Sequence, residues 1–310
     1  MCCREKIGLI HDLSSYPQSD GNLLMDNRFI ADALYADMES KAKELTVNSN
    51  NTVQPVVLMR LGVFVPKPTK NQAENNEIDA SHVFSQLEIA RAEGYDNIKI
   101  TGPRLDMDTD FKVWAGVIYA FSQYGLSSNS IQLSFQEFAK FCGFPSKRLD
   151  LKLRKTIHDS LGRLRNKGIS FNRGKNVMGG YHTGLLKTGY FDAERDIVEL
   201  EADSKLWEIF QLDYRVLLQQ HALRALPKKE AAQAIYTFIE SLPSRPVPIS
   251  FARIRERLAL ISSISEQNRT IKKAIEQLKS IGYLDCSIEK QGRENFIIVH
   301  SRNPKLKPSV

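Results

Sequence analysis

The chain has little cysteine and no apolar run long enough to cross a membrane. Its 310 residues include four cysteines, Cys2, Cys3, Cys142 and Cys286. They form no C-x-x-C pair and match no zinc-site spacing, which indicates reduced thiols and no metal site. A membrane helix needs about 18 consecutive apolar residues, and neither that nor a secretory leader is present. We therefore expect a cytoplasmic protein.

The signatures of common enzymes are also missing. Gly174-Lys175 is followed by Asn176 and lacks the upstream glycine of a phosphate-binding loop. No nucleophile elbow, dinucleotide-binding motif or kinase set occurs. DNA-nicking enzymes place two metal-binding histidines beside a nucleophilic tyrosine, but no H-x-H pair accompanies any of the ten tyrosines. These absences favour a protein that is not an enzyme and needs no cofactor, and they weigh against DNA nicking.

What the chain does have is an uneven basic charge. The net charge is +7. Residues 1–96 are acidic, whereas residues 227–310 carry 15 Lys and Arg against 8 Asp and Glu. A basic domain of this kind indicates a polyanionic partner, nucleic acid first.

An internal repeat is visible across the basic part. Residues 154–168 and 268–282 both fit the pattern basic-Thr-Ile-x3-apolar-x2-Leu-x3-Gly, with an offset of 114 between Ile157 and Ile271. Residues 131–135 parallel residues 247–251 in the same order. The repeat predicts one structural unit present twice.

Each copy has the order of a winged helix-turn-helix. A first helix is expected over residues 110–124 in one copy and 228–242 in the other. A short strand follows, then a helix opened by a serine, then a second helix closed by Gly168 or Gly282. Two alternating segments, residues 283–288 and 296–300, predict the second wing, with its turn at residues 290–293. The fold class is therefore α+β, with tandem winged helix-turn-helix domains.

The first wing is harder to delimit. We expect it to begin at residues 169–171, with a second strand within residues 185–191 and a third at residues 196–200. A basic tip is expected at residues 173–175 and at Gly179-Gly180.

Candidate DNA contacts follow from this architecture, because the second helix of the pair enters the major groove. In the C-terminal copy, Arg269 and Lys273 lie opposite the apolar stripe of Ile271, Ile275 and Leu278. Arginine can recognise guanine, and glutamine can recognise adenine. The predicted DNA-binding set is Arg253, Arg255, Arg257, Asn268, Arg269, Lys272, Lys273, Gln277, Lys279, Lys290 and Arg293.

The first copy also has a basic second helix and wing. Its predicted auxiliary DNA-binding residues are Lys147, Arg148, Lys152, Arg154, Lys155, Arg173 and Lys175. This surface could equally be a solvated face beside a protein interface.

Several long strings resemble the replication initiators of RepFIB-type plasmids. They are residues 51–66, 100–108, 194–198, 234–243 and 281–285, within a resemblance that covers roughly residues 51–308. The sequence departs from that pattern at its N-terminus and in the first wing, at Gly179-Gly180-Tyr181.

The resemblance implies an initiator of theta replication that binds the repeated origin sequences called iterons. It implies that residues 227–310 recognise these repeats, and that residues 55–226 support dimerisation and further backbone contacts. Monomers would act at the origin, dimers would repress the initiator's own promoter, and a host initiator and helicase would be partners. A transcription regulator of the same architecture, without a replication role, is the alternative.

The N-terminal segment lies outside this resemblance. We expect residues 1–54 to be a flexible extension, and residues 1–37 to be dispensable, with Met38 as a possible start of translation.

Overall fold

The computed structural model describes residues 50–67, 73–84, 94–124, 130–145, 149–174, 179–192, 194–203 and 215–306. Residues 1–49 of the predicted N-terminal extension lie outside these ranges. Residues 51–54 are not flexible as expected, because they lie in a largely buried strand that pairs with residues 215–219. Within them, no helix is long and apolar enough to cross a membrane.

The elements follow one another along the chain with short connections. The first half contains β1 (Asn51–Pro55), α1 (Val56–Arg60), β2 (Phe64–Val65), β3 (Asn75–Asp79), α2 (Ser81–Phe84), β4 (Asn97–Pro103), β5 (Leu105–Asp106), α3 (Asp110–Tyr124), β6 (Ser130–Ser134), α4 (Phe135–Phe141) and α5 (Leu151–Arg165). The second half contains β7 (Gly168–Arg173), β8 (Gly179–Gly184), β9 (Thr188–Asp192), β10 (Ile197–Glu201), β11 (Arg215–Gln219), α6 (Gln220–Arg224), α7 (Glu230–Glu240), β12 (Ile249–Ser250), α8 (Phe251–Arg257), α9 (Ile264–Ser280), β13 (Leu284–Gln291) and β14 (Glu294–Arg302).

The predicted duplication is confirmed by the sheet topology. In the first copy, α3, β6, α4 and α5 are followed by a three-stranded sheet of order β6-β10-β9. In the second copy, α7, β12, α8 and α9 are followed by a sheet of order β12-β14-β13. In both, the short strand before the helix pair joins the sheet through the second strand of the wing hairpin. The two units are thus the same winged helix-turn-helix built twice.

Local sequence signals fix the helix ends in both copies. The hydroxyls of Ser134, Ser250 and Ser263 each accept a hydrogen bond from the backbone N–H three residues later. Such caps satisfy backbone donors that have no partner inside the helix. Gly282, just after α9, has φ +72°, a conformation that glycine adopts without steric cost.

The first wing differs from the prediction. β7 and β8 form a hairpin, but they belong to a separate four-stranded sheet of order β3-β4-β7-β8. The strands equivalent to β13 and β14 are β9 and β10, whose connection is short and carries Arg195 between Glu194 and Asp196. The expected basic wing tip at residues 173–175 and 179–180 was therefore wrong. The strands expected within residues 185–191 and at residues 196–200 correspond to β9 and β10, but residues 169–171 lie in β7, which pairs with β4, distant in sequence, and so belongs to another sheet.

The two copies pack against each other through the end of α8. Gly62 follows α1, and a Cβ atom there would lie 2.7 Å from the main-chain oxygen of Arg257. Only glycine permits such a close approach. The core is continuous across this junction, since Leu58, Phe64, Ile235 and Ile254 are all fully buried in one cluster.

Candidate nucleic-acid interface

Helix α9 has one buried and one exposed face, as the spacing predicted. Four apolar side chains of α9 are buried against the rest of the second unit: Ile271, Ala274, Ile275 and Leu278. Arg269, Lys272 and Lys273 are exposed on the other side. The helix is therefore held by its apolar stripe, while its cationic side chains extend into solvent.

The exposed cations of α9 have few competing partners. Arg269 Nη2 donates to Glu266 Oε1 at 2.5 Å, and Lys279 Nζ lies 3.4 Å from Glu276 Oε1. Exposed ion pairs of this kind are worth about 0.2–1 kcal/mol, so a phosphate or a base edge can displace them. Lys272 and Lys273 make no ion pair with any residue in the described ranges. This face can accept an anion without disrupting the fold.

The second wing lies beside this helix. β13 and β14 pair from Leu284↔Arg302 to Gln291↔Glu294, and Gly292 at the turn has φ +61°. Lys290 and Arg293 are exposed at the tip, where the sequence placed them. The tip thus adds two cations to those of α9.

An internal network connects the helix pair to the wing. Arg255 Nη1 donates to Asn268 Oδ1 at 2.7 Å, and Arg255 Nη2 donates to Glu294 Oε2 at 2.8 Å. The Arg255 guanidinium lowers the pKa of the Glu294 carboxyl through this hydrogen bond. Arg255 is only 15% exposed. The sequence predicted Arg255 and Asn268 as DNA contacts, and the structure places both in a network that positions the wing against α9.

Arg257 is not at the surface, and its predicted role in DNA binding was wrong. It is 3% exposed, and its guanidinium donates to Met59 O at 3.0 Å and Phe64 O at 2.9 Å. Burial lowers the pKa of Arg257 to about 9, so the group remains charged at neutral pH. Arg257 connects the second unit to the turn between α1 and β2 of the first.

The remaining predicted residues of the second unit lie at its surface or close to it. Arg253 is exposed, with its guanidinium carbon 5.2 Å from the centroid of the Phe238 ring. Gln277 is half-buried on α9.

In the first unit, Lys152 and Lys155 are exposed on α5. Arg154, also predicted to bind DNA, is instead held in contacts within the first unit. Its guanidinium carbon lies 4.5 Å from the Phe135 ring centroid, and Nη1 lies 3.6 Å from Asp196 Oδ1 in the wing. Arg154 therefore joins α5 to the first wing, much as Arg255 joins the helix pair to the second.

Three predicted auxiliary residues, Lys147, Arg148 and Lys175, lie outside the described residues. Arg173 is exposed at the end of β7, with its guanidinium 5.4 Å from the Tyr95 ring centroid, and so lies away from the first wing.

The sequence did not reveal an ion pair, formed by a buried carboxylate and a partly exposed arginine, that fixes α5 against α3. Asp110 is fully buried and accepts hydrogen bonds from Arg163 Nη2 and Ser160 Oγ, at 2.7 and 2.6 Å. The only local signal was that Ser160 lies on the apolar face of α5, where a hydroxyl needs a partner.

Comparison with known proteins gives a consistent result. The family model described as "Initiator Replication protein, WH1" matches residues 71–240, more than half of the chain. The chain is 81% identical to Replication protein RepA of Escherichia coli, over 91% of this chain and 99% of that protein. It is 50% identical to RepFIB replication protein A of Salmonella typhi, over 85% of this chain and 82% of that protein.

Among solved structures, domains 2 and 3 of RctB match with a TM-score of 0.48 and 11% identity, over 80% of this chain and 98% of that one. The resemblance drawn from the sequence strings to RepFIB-type initiators is confirmed by the relatives.

Proposed function

Because the chain belongs to the family of plasmid replication initiator proteins, we propose that it starts replication by binding repeated duplex sequences at a plasmid origin. The C-terminal unit, residues 227–310, recognises the repeat. The first unit, residues 55–226, adds backbone contacts and a dimer interface.

The observation that carries this proposal is the exposed cationic face of α9 next to the wing tip. Arg269, Lys272 and Lys273 project from the second helix of the pair, and Lys290 and Arg293 extend the same charge onto the hairpin. A recognition helix in the major groove needs base-contacting side chains on its outer face and phosphate contacts at its flanks. The second unit has side chains suited to both roles.

The role of each side chain follows from its chemistry. Arg269 lies near the start of α9, and its planar guanidinium suits the two acceptors of guanine in the major groove. Lys272 and Lys279 carry point charges suited to phosphate oxygens. Each phosphate neutralised releases counterions, so binding by this surface weakens steeply with salt.

The network of Arg255, Asn268 and Glu294 supports binding indirectly. It holds the wing, at Glu294 next to the tip, against the helix pair through hydrogen bonds to charged groups, which are worth about 1.5–3 kcal/mol each. A wing held in this way meets the backbone beside the groove that α9 enters, without reordering on binding.

We propose a second activity for the first unit. A dimer formed through residues 55–226 would place two C-terminal units around a two-fold axis, which suits an inverted repeat in a promoter. We propose that the monomer binds the direct repeats and the dimer represses the promoter, with a host initiator and helicase recruited to the opened origin.

A footprint on the plasmid's own origin and promoter tests this function. The full chain should protect direct repeats beside an AT-rich segment. The double variant Lys272→Ala/Lys273→Ala should lose that protection at moderate salt. The matched control, Lys228→Ala/Lys229→Ala, removes two exposed lysines from the start of α7 and should retain it. Protection of a palindromic promoter alone would instead support a transcription regulator.

A further inference from the structure

We infer that Leu151, the first residue of α5, contacts a thymine methyl group in the major groove, so that the first unit recognises bases and not the backbone alone. This inference rests on the proposed function, because it assigns a role to one side chain within a DNA-bound state. Such a contact would let α5 contribute to sequence specificity, which phosphate contacts from its lysines do not provide.

Leu151 is the most exposed large hydrophobic side chain among the described residues. It is 83% exposed, whereas Tyr124 and Tyr190 are each 46% exposed. An apolar side chain so open to water contributes almost nothing to folding through burial. Burial of this side chain would contribute free energy only to the binding of a partner that covers it.

The position of Leu151 suits a partner in the major groove. Asp150 caps α5 by accepting a hydrogen bond from Leu153 N at 2.8 Å, so Leu151 occupies the first turn of the second helix of the pair. The first residues of that helix contact base edges in helix-turn-helix proteins. Counting about 100° per residue from the buried Ile157, Leu151 lies about 120° away from the core direction.

The surroundings of Leu151 favour DNA over a protein surface. Lys152 and Lys155 are exposed next to it, and neither makes an ion pair with a residue in the described ranges. The carboxylates nearby are Asp150, engaged in the cap, Asp159, two turns further along the helix, and Asp196 of the wing, whose Oδ1 lies 3.6 Å from Arg154 Nη1. An aliphatic side chain flanked by two free lysines matches a thymine methyl flanked by phosphates.

The second copy has a similar feature. Ile264 is the first residue of α9 after its cap, and it is 64% exposed. An exposed aliphatic residue thus begins the second helix in both units, although the residues differ. The two positions are not equivalent, because with the offset of 114 Ile264 aligns with Asp150 and lies about 20° from the core direction of its helix. The base contact is therefore inferred for Leu151 alone.

The test removes the thymine methyl group and the Leu151 side chain separately. The full chain first selects its preferred duplex from a random library. Each thymine of that duplex is then replaced by deoxyuridine, which lacks only the methyl group, and binding is measured for the unaltered chain and for Leu151→Ala. Val247→Ala is the control, because Val247 is 74% exposed but lies before β12, outside both second helices.

At one or two thymines, deoxyuridine should weaken binding of the unaltered chain by about three- to fourfold, the value of one buried methyl group. Leu151→Ala should show no penalty at those thymines, and Val247→Ala should behave as the unaltered chain. Equal penalties in Leu151→Ala and the unaltered chain at every thymine would overturn the inference while leaving DNA binding intact. Failure to select any duplex over scrambled DNA would instead reject the proposed function, and the inference with it.

Discussion

Replacing Arg257 by methionine should destabilise the protein far more than the same replacement of the exposed Arg253 on α8. The guanidinium is buried between the two units and donates to two main-chain oxygens, Met59 O and Phe64 O. Methionine keeps much of the apolar stem and its packing, but it leaves both oxygens without this donor. Hydrogen bonds from charged groups are worth about 1.5–3 kcal/mol each, which gives a gross loss of roughly 3–6 kcal/mol.

Part of that loss is offset, because removing a buried cation also removes the cost of keeping it out of water. We therefore expect a net decrease of about 2–4 kcal/mol in the free energy of unfolding. Urea denaturation followed by circular dichroism measures it. Arg253→Met is the matched control, since Arg253 lies one turn earlier on the same helix but is exposed, and it should change the value by less than about 0.5 kcal/mol. A stability of Arg257→Met equal to that of the control would refute the structural role of this guanidinium.

Three further outcomes are expected. Burial lowers the pKa of Lys167 to about 8 in the folded chain, from an ordinary value of 10.5. Because the unfolded chain then binds more protons between these two pH values, the free energy of unfolding should rise with pH from about 8 to 10.5. Lys167→Met should remove that rise in pH-dependent denaturation, and an unchanged pH profile would contradict it. Ser134→Ala should cost about 1 kcal/mol through loss of the cap of α4, measured by urea denaturation, and an unchanged midpoint would contradict the cap. Sedimentation should show a concentration-dependent dimer, and only monomer at high micromolar concentration would contradict the proposed dimer.

Much of the fold could be predicted because its signals are local. The capping serines, the closing glycine of α9 and the buried stripe of Ile271, Ile275 and Leu278 each depend on residues a few positions apart. The duplication was visible for the same reason, since each unit repeats these short signals in the same order.

The remaining features depend on contacts between distant parts of the chain. Arg253 and Arg257 are four residues apart on α8, so helical spacing places them on similar faces. Only Arg257 is buried, because the turn after α1, almost 200 residues earlier, covers the end of the helix. Residues 169–171 were likewise expected to begin the first wing, but the pairing of β7 with β4 places them in another sheet.

The candidate site was predictable only in part for a related reason. A basic residue on a helix can project into solvent or bond to a neighbour, and the sequence does not distinguish the two. Lys272 and Lys273 are exposed, whereas Arg255 bonds to Glu294 and Arg154 packs on Phe135. Arginine combines a planar charged group with a long apolar stem, which suits these internal positions.

The most direct test of the central claim compares Arg269→Ala with Lys272→Ala on the selected duplex and on a scrambled duplex across a salt series. Arg269→Ala should cost about 1–3 kcal/mol on the specific duplex and relax the preference at one base pair. Lys272→Ala should weaken both duplexes alike and reduce the salt slope by about one unit. An unchanged ratio of specific to scrambled binding in Arg269→Ala, together with an unchanged salt slope in Lys272→Ala, would show that α9 does not bind the DNA.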